Sequence, residues 1–267
     1  MAWTVRILAG ASVAYFAIIV LLWALQSRML FPAPQQRAPL PVNFEEIVLQ
    51  TSDDLGLRSF YRPAAAGLPT LVYFHGNAST LSAALISNAP FDEAGFGQLL
   101  VEYRGYGGNP GSPGEEGFYL DGEAALGWLA DQGIESSETV IIGNSIGSGV
   151  ASEMALRHDP AALILIAPFT SLPDVAAQNF WWLPVHALVK DKFKTKEKLG
   201  ELDMPVLIQH GTADNLIPHS HGKRLSEIAR NGEFQSFEGS GHGLSFERQS
   251  AEARRDWVLM LDLGSTE

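Results

Sequence analysis

Val140-Ile141-Ile142-Gly143-Asn144-Ser145-Ile146-Gly147 is the stretch that sets the fold. Three β-branched residues run into a glycine, a serine follows two places later, and a second glycine two places after that. The next segment, Ile146 to Arg157, carries apolar residues at helical spacing. The pattern predicts a strand, a sharp turn and a helix. Glycine on each side of the turn lets the chain reverse tightly and lets helix and strand approach closely. Ser145 then stands above the sheet at a helix N-terminus, where developing negative charge is favoured. The letters G-x-S-x-G alone are a weak signal, because an ordinary glycine-rich turn or a nucleotide loop also fits them. The strand before and the helix after give them weight.

Outward from that turn, strand and helix signals alternate. Glu46–Leu49 and Leu57–Tyr61 read as two strands around the turn Ser52 to Gly56. Short apolar runs follow at Leu71–Phe74, Leu99–Glu102, Val140–Ile142, Leu163–Ile166 and Val206–Gln209, with a last strand at Gly232–Phe237. Most are apolar throughout, as strands covered on both faces should be. Helical spacing appears in Gly122–Asp131, Ile146–Arg157, Ser220–Arg230 and Phe246–Leu261. The expected fold is α/β: a mostly parallel eight-stranded sheet with helices on both faces. One interval, about 168–203, is too long for a simple crossover and is rich in aromatics. It is read as a small cap, with Phe169, Trp181 and Trp182 facing a substrate together with Leu216. An amphipathic helix packed on the core is the alternative.

Three further loops follow strands. Tyr73-Phe74-His75-Gly76-Asn77-Ala78 closes an early one. A tetrahedral intermediate needs two backbone donors at its oxyanion. The N–H of Ile146, just after the serine, and the N–H of Asn77 are the candidates. His75 reads as a loop brace rather than a second base. Val206 to Pro218 runs from a buried strand through His210-Gly211-Thr212-Ala213 to Asp214. A lone aspartate there is a turn-former by default. Phe237-Glu238-Gly239-Ser240-Gly241-His242-Gly243 follows the last strand, with small residues giving the histidine room. Ser145, Asp214 and His242, in that chain order and each after a strand, form a candidate nucleophile, orienting acid and base. Glu238 is too close in sequence to His242 to serve as the acid. His219 and His221 lack carboxylate partners for a metal, and no metal site is expected. Arg104 reads as a brace through Asp121, or as an anion clamp.

The chain has 267 residues, a formal charge of -12 and no cysteine. The acidic balance argues against nucleic acid as a partner. The missing cysteines exclude disulfides, thiolate catalysis and cysteine-based zinc sites. Ile7 to Leu25 carries neither charge nor proline. At about twenty residues it is long enough for a transmembrane helix. Trp3 and Trp23 sit near its ends, and Ala24-Leu25-Gln26-Ser27-Arg28 is a poor cleavage site for a signal peptide. The expected layout is a single-pass membrane anchor over 1–28, a proline-rich tether over 29–41 and a catalytic domain over 42–267. Arg6 at one end and Arg28 with Arg37 at the other leave the orientation open. An arm packed on the enzyme is the alternative to the tether.

The chain resembles the membrane-anchored branch of the α/β-hydrolase superfamily that includes monoacylglycerol and lysophospholipid lipases and protein depalmitoylases. The matching stretches are YFHGNA from Tyr73, EYRGYGGNPGSPGEEG from Glu102, YLDGEAAL from Tyr119, GNSIGSGVA from Gly143, APFTSLPDVA from Ala167, GTADNLIP from Gly211 and GSGH ending at His242. They span nearly everything from about Val42 onward. The resemblance implies hydrolysis of hydrophobic esters or thioesters, acting on a lipid or other small acyl substrate at a membrane, with no cofactor. The depalmitoylase members carry N-terminal cysteines, and this chain has none, which weakens the transfer of protein substrates. A prolyl-peptidase-like amidase and a non-catalytic membrane scaffold are the competing readings.

Overall fold

The computed structural model describes residues 2–261 and residue 263. Met1 of the expected anchor and residues 262 and 264–267 of the expected catalytic domain lie outside the described residues. Eight strands form one sheet: β1 (Glu45–Gln50), β2 (Gly56–Arg62), β3 (Thr70–Phe74), β4 (Gly97–Val101), β5 (Thr139–Asn144), β6 (Ala162–Ile166), β7 (Val206–Gly211) and β8 (Gly232–Phe237). Their spatial order is β1-β2-β4-β3-β5-β6-β7-β8. The β1–β2 and β2–β4 pairs are antiparallel and the others parallel. The central strands β3, β5 and β6 are buried at every residue, which is why their sequences read as unbroken apolar runs.

Ten helices accompany the sheet among the described residues: α1 (Ala2–Leu30), α2 (Leu81–Ser87), α3 (Ala89–Ala94), α4 (Glu115–Asp131), α5 (Ile146–His158), α6 (Leu172–Asn179), α7 (Val185–Leu188), α8 (Thr195–Leu199), α9 (Ser220–Ile228) and α10 (Arg248–Met260). One core joins Phe118 and Leu126 of α4, Val150 and Met154 of α5 and Leu225 of α9 to one face of the sheet. The other joins Leu81 of α2, Phe91 of α3 and Trp257 of α10 to the opposite face. Helices α6, α7 and α8 fill the long interval after β6. The carboxylate of Glu115 holds its far end, accepting from the backbone N–H groups of Lys192 and Phe193.

The tether expected over 29–41 is an ordered arm. Helix α1 continues to Leu30, and Phe31 is buried edge-on against Phe118. The Pro34 carbonyl accepts from the Gly107 N–H at 2.8 Å, and Gln35 donates to the Gly105 carbonyl at 2.6 Å. The prolines keep the segment extended, but Phe31 and Ala38 supply apolar surface that the folded domain buries.

Candidate active site

Ser145 lies between β5 and α5 with φ 52° and ψ -117°. A non-glycine residue with positive φ stores strain on the order of 1–3 kcal/mol and persists only where the surroundings enforce it. Here the Ser145 N–H donates to the Ile166 carbonyl of β6 at 2.9 Å, and the Ser145 carbonyl accepts from Ser148 N–H at 2.9 Å. Gly147 completes the turn: a Cβ at that position would collide with the Phe74 carbonyl at the end of β3. The glycine therefore lets α5 start directly against the neighbouring strand end.

His242 opens a short 3₁₀ turn, His242–Phe246, after β8. Its Nε2 is 3.0 Å from Ser145 Oγ and its Nδ1 is 2.8 Å from Asp214 Oδ2. With the Nδ1 proton donated to the carboxylate, Nε2 presents a lone pair to the serine hydroxyl. The turn is fastened from α10. Ser250 Oγ donates to the Leu244 carbonyl, and the buried Arg254 guanidinium donates to the Ser245 carbonyl, the Ser87 carbonyl and Gln209. Burial lowers the Arg254 pKa to about 10.

Asp214 sits in a cradle. Its Oδ1 accepts from the N–H groups of Leu216 and Ile217, each at 2.9 Å. Its Oδ2 faces His242 and, 3.3 Å away, the Nε2 of the fully buried His210. Burial alone would raise this carboxyl. The contacts with His210, His242 and the Ile217 N–H outweigh it and hold the group well below the usual carboxylate range. His210 Nε2 is also 2.9 Å from the Ile217 carbonyl, whereas its Nδ1 is buried without a partner. With two oxygens facing it, Nε2 is the donor of this ring. The sequence reading missed His210. Its signal was an i, i+4 relation to Asp214 at the end of a buried strand.

The candidate oxyanion loop packs on the same spot. A Cβ built on Gly76 would lie 3.5 Å from Ser145 Cβ. Asn77 has its side chain engaged elsewhere: its amide nitrogen donates to the Leu30 carbonyl, and its Oδ1 accepts from Tyr106 at 2.7 Å. Ile146, as the first residue of α5, has no partner within the helix for its N–H. His75 braces this loop, with Nε2 at 2.8 Å from buried Glu102 and Nδ1 at 2.8 Å from the Gly76 carbonyl. Arg104 is also a brace. It donates to Asp121 at 2.7 Å and to Asp53 at 2.8 and 3.0 Å.

The remaining sequence candidates do not gather at one place. Phe169 is buried in the core at 1% exposure. Leu216 is exposed beside Asp214, which its N–H serves. Trp181 is 83% exposed in the turn between α6 and α7, and Trp182 packs against Tyr15 of α1. Among the described residues no group of three or more His, Cys, Asp or Glu side chains is placed to hold a metal.

No family model matches the chain. It is 34% identical over 220 residues to the uncharacterised protein Rv2307c of Mycobacterium tuberculosis, covering 79% of this chain and 78% of that one. It is 36% identical over 183 residues to the human α/β-hydrolase domain-containing protein 17B, covering 65% of this chain and 60% of that one. The fold is similar to the Pyrococcus furiosus esterase Pf2001, with a TM-score of 0.68, 16% identity, and coverage of 87% of this chain and 98% of that one. The sheet order, the strand-end loops and these relatives together make the chain a member of the α/β-hydrolase superfamily.

Proposed function

We propose that this hydrolase cleaves hydrophobic carboxylic esters or thioesters, of the acylglycerol, lysophospholipid or acyl-thioester kind, through an acyl-enzyme on Ser145. The observation that carries the reading is the unbroken relay from Ser145 Oγ to His242 Nε2 at 3.0 Å and from His242 Nδ1 to Asp214 at 2.8 Å. Both distances lie within the range for proton transfer.

Ser145 Oγ attacks the carbonyl carbon while its proton passes to His242 Nε2. Asp214, kept anionic by its cradle, steadies the imidazolium. The Ile146 and Asn77 N–H groups hold the oxyanion. The bond to the leaving oxygen or sulfur breaks as His242 returns the proton to that atom. Water then gives a proton to His242 and attacks the acyl carbon. The acid leaves and Ser145 recovers its hydrogen.

The substrate class is supported by α1, which is long and apolar enough to cross a membrane and has no buried residue in its most apolar stretch. In this reading α1 is a single-pass anchor that keeps the site beside lipid. The test is hydrolysis by purified full-length protein in vesicles across a series of acyl esters. Activity that rises with chain length supports the proposal. Hydrolysis restricted to short soluble esters overturns the substrate class, and a preference for prolyl amides overturns the reaction.

A further inference from the structure

Helix α1 is built into the enzyme along one stripe. The Gln26 side chain accepts from the Lys190 N–H at 2.8 Å and donates to the Leu188 carbonyl at 3.2 Å. The Lys190 ammonium lies 4.0 Å from the Trp23 ring centroid. Nearer the N-terminus, the Tyr15 hydroxyl donates to the Trp182 carbonyl at 3.1 Å. Tyr15, Leu22, Gln26 and Leu30 fall on one helical face, and the cap runs alongside it.

Between that stripe and the cap is an apolar groove of about 120 Å³, walled by Leu22, Met29 and Leu30 on one side and Ala176, Leu183 and Leu188 on the other. Gln26, which also lines it, has its amide already bound to cap and helix backbone. A helix is about 10 Å across and does not fit such a space. A short stretch of a single hydrocarbon chain does, since a cavity of roughly 150 Å³ holds one benzene ring.

Depth identifies the source of that chain. Tyr15 lies roughly 17 Å along the helix from Gln26, at 1.5 Å per residue. It falls inside the uncharged stretch Ile7–Leu25. A bilayer that takes up this stretch must also take up the cap tip beside it. The tip suits that setting: Phe180, Trp181 and Trp182 are exposed, and the Trp182 carbonyl and the Leu183 N–H both have partners. At its other end the groove reaches Leu30, whose carbonyl is held by the Asn77 side chain. Asn77 is the proposed oxyanion donor.

We propose that the groove between α1 and the cap holds the acyl chain of a bilayer lipid, admitted sideways from the membrane, with its ester end directed past Leu30 and Asn77 to Ser145. The assignment rests on the reading of Ser145 as the ester-cleaving nucleophile and of α1 as the anchor.

The test uses full-length Ser145→Ala protein in phosphatidylcholine vesicles. The probe is a long-chain monoacylglycerol with a diazirine on its acyl chain, and adducts are mapped after irradiation. Label is expected on the Leu22–Leu30 stripe and on the Ala176–Leu188 segment, at least tenfold above the opposite face of α1 at Val13 and Leu21. Filling the groove with Leu183→Trp or Leu22→Trp should reduce the groove label at least tenfold. In the protein with Ser145 intact, those changes should lower the ratio of long-chain ester to acetate kcat/KM at least tenfold. Leu21→Trp should leave that ratio unchanged. Even labelling around α1, or an unchanged ratio in both groove variants, would overturn the proposal. Groove labelling by a protein that hydrolyses no ester would uphold the lipid site and reject the nucleophile.

Discussion

Asp121, beneath the loop that follows β4, and Asp214, in the loop that follows β7, are both buried aspartates held in opposite ways. Asp121 is fully buried and, among the described residues, accepts only from Arg104, through its backbone N–H and its Nε. Burial dominates there and pushes the carboxyl up to about 6. Asp214 meets polar hydrogens from four residues, His210, Leu216, Ile217 and His242, and is held well below the usual range despite its burial. Burial alone therefore does not set the state of a carboxyl. The number and direction of its donors do. A brace needs a partner cation, whereas a group that must face an imidazolium as an anion needs a cradle.

The sharpest way to break this contrast is to remove each charge in turn. Asp214→Asn should lower kcat by about 10⁴-fold while the protein stays folded, because the amide cannot fix the His242 tautomer or balance its charge. Steady-state ester kinetics with circular dichroism measures both. Asp121→Asn should do the reverse. Activity should change less than tenfold, while stability in urea falls by about 3 kcal/mol, as a buried pair loses one partner.

His210 tests the cradle itself. His210→Phe should lower kcat by about 10–100-fold with KM little changed, the cost of one missing donor to a charged acceptor. His210→Gln, whose amide still donates, should recover part of the loss. Equal effects from both would make His210 a packing residue.

The smallest expected effect is a pH signature. Between pH 3.8 and about 6, folded Asp121 keeps a proton that the unfolded chain has released. Its contribution therefore favours folding in acid and declines as pH rises through that window. Asp214 has the opposite sign. Its depressed pKa gives stability that is complete above the unfolded value of 3.8 and is lost as pH falls below it. On going from pH 7 to pH 5, wild type should gain about 1 kcal/mol relative to Asp121→Asn in urea unfolding. A constant difference would mean that Asp121 stays ionised throughout.

The strand-end loops were legible in the sequence because their constraints are local. Ser145, Asp214 and His242 each follow a strand and have small neighbours, and the apolar runs mark the buried centre of the sheet. Helices α2 and α3 were not legible: each is at most two turns, broken at Asn88, and too short to show a period. Helix α4 begins at Glu115, seven residues before its expected start at Gly122. Its glycines weaken the helical signal, yet Gly122 is where Met154 of α5 packs, and a Cβ there would clash with that side chain. The arm misled for a related reason. Four prolines in 32–41 read as a tether, but the burial of Phe31 against Phe118 depends on a residue far away in the chain. His210 and the Asn77–Leu30 link are also long-range or orientation-dependent facts, fixed only when β7 is placed and α1 is docked.

The central claim is that Ser145 is an activated nucleophile. Its most direct test is labelling of full-length protein with a fluorophosphonate probe, in wild type and in Ser145→Ala, with the adduct mapped by mass spectrometry. One adduct on Ser145, absent from the variant, is the expected result. Folded wild-type protein that takes no label, or that is labelled equally in the variant, would contradict the account.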